Sequence, residues 1–145
     1  MNEVIKIFYD KRQEEDFHFA NILDTDFKHI PINKKGVYIL VAKDDSFIYP
    51  SKQKSKVFYI GMSKNLKKRL RTHKRKTLDL VGKNHSQRRG YWYRYQYAAS
   101  FGADIYVFLC KGSQQPKNLE YDIIEHFYDK YLGKPVTIGA FSFKK

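Results

Sequence analysis

The chain has 145 residues, enough for one folded domain with a buried core. Its 17% aromatic content excludes an intrinsically disordered polypeptide, and its single cysteine, Cys110, excludes an internal disulfide and a zinc site built on paired cysteines. A formal net charge of +13 points to polyanionic partners, nucleic acid before anionic membrane. No run approaches the length of a membrane span and the first ten residues lack the shape of a signal peptide, so the chain reads as cytosolic.

The charge is unevenly spread. Residues 1–33 carry four basic and seven acidic side chains, whereas residues 34–145 carry 24 basic and eight acidic ones. The first segment reads as an N-terminal lead-in or cap and residues 34–145 as the main body of a single globular domain. Gly36 to Ala42 is an apolar, β-branched run bounded by polar residues and is expected to be a buried strand. Lys43–Lys56 is polar, contains Pro50 and reads as a loop, unusually long for a hairpin connection and therefore a candidate for function. Val57–Gly61 is a second strand, expected to pair antiparallel with the first. Lys64–Lys76 follows as a helix with Ser63 as N-cap and Leu66 and Leu70 marking its buried stripe. Residues 79–90 read as loop. From Tyr91 to Phe101 two periodicities compete: tyrosines alternate at 91, 93, 95 and 97, while Trp92, Tyr95 and Ala99 suit a helix closed by Gly102. The helix is favoured. Asp104–Cys110 is a third strand, and Pro116 opens a last helix that runs to about Leu132, before Gly133 and Pro135.

Eight of the thirteen residues from Lys64 to Lys76 are Lys or Arg. Lys64, Lys67, Lys68, Arg71, Lys74, Arg75 and Lys76 are expected to face solvent and to contact a sugar-phosphate backbone, with Arg88, Arg89 and Arg94 extending the surface among aromatic residues suited to base stacking. Arg69 and His73 are four apart and flank the Leu66/Leu70 stripe, so both are expected to point toward the sheet. A guanidinium there can grip a phosphate through two hydrogen bonds, and an imidazole beside it can hold the phosphate or pass a proton. In the last helix, counting back from Ile123, Ile124 and Phe127 places Glu120 at the start of the core-facing stripe. A carboxylate in that position is costly unless paired or bound to a cation, and a hard ion such as magnesium or manganese suits a lone Glu completed by waters and substrate oxygens. Tyr38 and Tyr59 lie on the paired strands, where phenols are either packing groups or, beside cations, candidates to deprotonate a water.

This ordered set resembles the GIY-YIG nuclease family: Gly36-Val37-Tyr38, then Tyr59-Ile60-Gly61, then Arg69 and His73 ten and fourteen residues after the second tyrosine, then Glu120. The resemblance covers roughly residues 34–132. It implies an α/β fold of the α+β type, a small three-stranded antiparallel sheet flanked by helices, and divalent-metal-dependent hydrolysis of phosphodiester bonds in DNA. Glu120 would then bind the metal, Arg69 would steady the phosphate, Tyr38 or Tyr59 would serve as or assist the general base, and His73 would support that tyrosine or the phosphate. The chain departs from the family pattern in its long Tyr38–Tyr59 interval. It also lacks the Asn usually found about a dozen residues beyond the Glu, since none follows Asn118. The partner expected is duplex or branched DNA, with two chains pairing stably or transiently for a double-strand break, and no membrane. A non-catalytic nucleic-acid-binding module is the alternative.

Overall fold

The computed structural model describes residues 2–12, 14–24 and 26–138. In chain order the elements are α1 (Glu3–Tyr9), β1 (Phe17–Asn21), β2 (Gly36–Ala42), β3 (Phe47–Ile48), β4 (Lys54–Ser55), β5 (Val57–Ser63), α2 (Leu66–Leu80), α3 (Tyr93–Phe101), β6 (Ala103–Leu109) and α4 (Pro116–Tyr131). The main sheet is antiparallel throughout, in the order β1-β6-β2-β5. It therefore has four strands where three were expected. The extra strand comes from the acidic N-terminal segment, whose Phe17–Asn21 pairs with β6, Asn21 opposite Asp104 and Phe17 opposite Phe108.

Alternation along β2 divides the core in two. Tyr38, Leu40 and Ala42 face α2 and α3, together with Phe58, Leu66, Leu70, Ala98 and Ile105. Val37 and Ile39 face α1 and α4, with Ile5, Phe8, Ile60, Ile123 and Phe127. Gly36 is required for this packing, since a Cβ on it would stand 2.1 Å from the Phe108 carbonyl oxygen and 2.8 Å from Leu66 Cδ1.

Helix α2 differs from its expected bounds at both ends. Asn65, not Ser63, is the N-cap and accepts from Lys68 N–H, while Ser63 Oγ accepts from Asn65 N–H and shapes the entry. The helix continues to Leu80 because its buried stripe does, through Leu66, Leu70, His73, Thr77 and Leu80; the end of the basic run at Lys76 is a change of charge, not of structure. Helix α3 forms as favoured and ends at Gly102, which adopts φ 68. Helix α4 ends at a left-handed Leu132, one residue before the glycine expected to stop it.

The Lys43–Lys56 loop is not free to reach outward along its whole length. It folds into the β3–β4 hairpin, and Tyr49 within it is buried against Phe127 and Tyr131 and donates to the Val57 carbonyl. After α4 the chain returns to β5, where the backbone N–H and the hydroxyl of Thr137 both donate to the Phe58 carbonyl. Among the described residues no helix is long and apolar enough to cross a membrane.

Candidate active site

Strand β5 is an edge strand, and the candidate residues meet around it. Tyr59 lies on the α2/α3 side of the sheet and packs against that half of the core. Glu120 comes from α4 on the other side. Both line one cavity of about 650 Å³, with Ile60, Tyr91, Trp92, Arg94, Ile124 and Thr137. The sheet edge thus lets side chains from opposite faces share a space that a central strand would have kept apart.

Behind Tyr59 is a dry cluster. Tyr38 and His73 are fully buried, and the Tyr38 hydroxyl lies 2.9 Å from His73 Nε2. The rings of Tyr38, Tyr59 and Tyr95 surround the imidazole at 5.1, 6.0 and 5.0 Å. Burial, with Arg94 and Arg69 adding positive charge, pushes the His73 pKa down to about 3, so the ring is neutral at physiological pH. Its Nδ1 has no partner. A buried N–H without an acceptor costs more than a lone pair without a donor, which favours the tautomer in which Nε2–H donates to the Tyr38 oxygen. The Tyr38 O–H is then free to turn toward Tyr59, whose ring centre lies 5.9 Å from that of Tyr38. The sequence therefore forms a chain of groups, His73 to Tyr38 to Tyr59, leading from the core to the cavity. Gly61 makes it possible: a Cβ there would stand 2.7 Å from the Tyr38 hydroxyl and 2.6 Å from Tyr59 Cε2.

Burial is also the largest influence on Tyr38, placing its pKa well above the phenol range, and on Tyr59, which it raises. On Tyr59, however, the Arg94 guanidinium, the nearby Tyr38 hydroxyl and Arg69 all act in the opposite direction, while Glu120 reinforces the rise. Of the two phenols, Tyr59 is thus the one open to the cavity, and its pKa, though raised, is less strongly raised than that of Tyr38. Glu120 is half-buried, and desolvation pushes its carboxyl up to about 7 against a smaller opposing effect of Lys117. No group of three or more His, Cys, Asp or Glu gathers as a metal site among the described residues.

Arg69 does not follow His73 inward. It lies one step off the narrow stripe of α2, is exposed, and lines a separate cleft of about 400 Å³ with Ser63, Asn65, Lys68, Thr72 and Tyr95. Its charge still reaches Tyr38, Tyr59 and His73. The cations read as one DNA-contacting set are dispersed. Lys64, Lys68, Arg71, Arg75 and Arg89 are exposed, and Lys67 is half-buried. Lys74 Nζ donates to the Asp24 carbonyl at 2.6 Å, Lys76 lies over the Tyr91 ring, and Arg88 donates to Ser100 Oγ. Arg94 stands apart from the others in position. It lines the cavity, and its guanidinium carbon sits 5.0–5.1 Å from the ring centres of Tyr59, Trp92 and Tyr95. Its place in the cavity wall follows from its position in the first turn of α3, legible only once the helix start is known. The segment in which the family carries an Asn is occupied by the turn after α4, which places Thr137 at the cavity wall.

A model of the GIY-YIG catalytic domain matches residues 34–131, about two thirds of the chain. Neither a curated protein nor a solved structure matches it. The match spans both tyrosine-bearing strands, the basic helix and the glutamate-bearing helix that meet at the β5 edge, and the chain belongs to the GIY-YIG family of nucleases.

Proposed function

We propose that this protein is a divalent-metal-dependent endonuclease that hydrolyses phosphodiester bonds in DNA. The observation that carries the reading is the meeting of Tyr59 and Glu120 in one cavity, the phenol backed by a buried proton-holding chain and the carboxylate desolvated to a pKa of about 7. A lone carboxylate beside open space fits a hard cation completed by waters and substrate oxygens; magnesium or manganese suits it, and zinc or a calcium cage does not. Bound there, the ion would supply Lewis-acid stabilisation of the charge that builds on the phosphate and leaving oxygen.

The chain's own residues do the rest. Glu120 holds the cation, and once neutralised by it no longer opposes ionisation of Tyr59. Tyr59 acts as the base from its phenolate form, reached by loss of its proton to solvent through the cavity; the phenolate then takes the proton of the attacking water and returns to the phenol. Tyr38 can donate to the phenolate before that transfer, and His73 holds Tyr38 in place from the core. Arg69, from the neighbouring cleft, steadies the phosphate as negative charge develops. The exposed lysines and arginines of α2 hold the backbone, which makes binding steeply salt-dependent. One such site cuts one strand, so a double-strand break requires a second chain or a second encounter, and nicked product accumulates at low enzyme concentration. A cytosolic location accords with the free thiol of Cys110.

Supercoiled plasmid tests this directly. With magnesium or manganese the wild type nicks it, Glu120→Ala falls to background, and Arg69→Ala loses roughly 100-fold in rate. A wild type inactive with both metals would leave only a nucleic-acid-binding module. Equal activity in all three proteins would instead overturn the residue roles.

A further inference from the structure

The Arg94 side chain is stacked but not paired. Its guanidinium lies among three aromatic rings, which offer π faces but no strong acceptor. Its Nε is buried without a hydrogen-bond partner, and no ion pair joins it to an acidic residue among the described residues. Glu120 lines the same cavity, yet the charge that Glu120 feels is that of Lys117. The cation and the carboxylate thus share a cavity of about 650 Å³ without neutralising each other. A desolvated guanidinium with unused donors, held flat by rings and opening on such a space, is built to take a planar pair of oxygens.

We infer that Arg94 is a second phosphate ligand of the cavity, binding a phosphate of the nucleic-acid strand from the wall opposite Glu120. The anion site rests on this geometry; its identification with a substrate phosphate rests on the nuclease reading above. Arg69 and Arg94 then grip the strand from two clefts that share the Tyr95 and Tyr59 neighbourhood, rather than from one helix. The pull of Arg94 on Tyr59 and His73 accords with a positive charge that lacks its anion. Trp92 stands exposed beside the guanidinium, where a base adjoining the bound phosphate can stack.

Trp92 is the sole tryptophan of the chain, so its fluorescence reports on its arginine neighbour. Inorganic phosphate, titrated against chloride at constant ionic strength, is expected to give a saturable change in the wild type. The response should weaken by about tenfold in Arg94→Lys, which keeps the charge but loses the planar fork, and disappear in Arg94→Gln. In the nicking assay the Gln variant is expected to lose about 100-fold in kcat, with the Lys variant restoring only part of it. A wild-type signal no greater with phosphate than with chloride overturns the assignment, as does phosphate binding by Arg94→Gln equal to that of the wild type. A wild type that binds phosphate through Arg94 but nicks no DNA supports the assignment while removing the nuclease reading.

Discussion

The two walls of the cavity follow opposite physical rules. The inner wall, Tyr38 and His73, is dry and neutral, and its groups are bonded to one another. The outer wall, Trp92, Arg94 and Glu120, lines open space and carries charge, and the Nε of Arg94 has no hydrogen-bond partner among the described residues. Tyr59 sits at the junction and belongs to both. On the proposed reading, positioning and reactivity are divided between the two: the buried Tyr38–His73 pair holds one geometry because breaking it would strand further polar atoms, while the outer groups are left open to substrate.

The sharpest way to break this division is to delete each phenol in turn. Tyr59→Phe is expected to reduce the nicking rate by roughly 1,000-fold, the scale of a lost general base, whereas Tyr38→Phe, which removes a supporting hydrogen bond, costs about tenfold. Equal losses, measured as single-turnover rates at saturating metal, would abolish the distinction between the walls.

The inner wall also predicts an acid sensitivity. The His73 pKa is depressed in the fold from its ordinary 6.5 to about 3, so below 6.5 the unfolded chain takes up a proton that the folded one refuses. Stability is therefore present above pH 6.5 and lost as pH falls toward 3, by about 3 kcal/mol at pH 4.5. Denaturant melts across this window should show a shallower loss for His73→Gln than for the wild type. Parallel slopes would mean that the imidazole is not held neutral.

The outer wall predicts the reverse sign and a smaller size. The Glu120 pKa is raised from 4.5 to about 7, so its burial favours the fold below pH 4.5 and that benefit is lost as pH rises through 7. In metal-free protein at pH 8, Glu120→Gln is expected to stabilise by on the order of 1–2 kcal/mol, discounted for the partial exposure of the carboxylate, with no gain at pH 4. Added magnesium should reverse the ranking, because only the carboxylate binds it. A Gln variant no more stable than the wild type at pH 8 would show that the carboxylate is already compensated.

How much of this was legible in the sequence follows the same division. Tyr38, Tyr59, His73 and Glu120 stand out by order and spacing, because strand and helix periods fix which side chains share a face, and the fold brings Tyr38 to His73 and Tyr59 to the cavity of Glu120. Arg69 was legible as a residue but not in its direction, since one helical step separates the buried stripe from the exposed flank. Arg94 was legible as a nucleic-acid contact, but its place in the cavity wall was hidden by the competing periods of Tyr91–Phe101. The fourth strand was hidden because Phe17–Asn21 has only one fully buried residue, Ala20, and owes its conformation to pairing with β6 rather than to its own pattern.

Strand β5 lies at the margin of its sheet, and its backbone carbonyls are closed by Thr137 on Phe58 and Tyr49 on Val57. The family match includes Tyr49 but stops at residue 131, short of Thr137. A fragment trimmed to the matched residues would retain all five motif side chains and present a raw strand border to its neighbours. Such a border recruits strands from other copies. The described residues after α4, 132–138, are therefore an insulating hem, and a minimal nuclease domain cut without them is expected to self-associate through the strand that carries Tyr59.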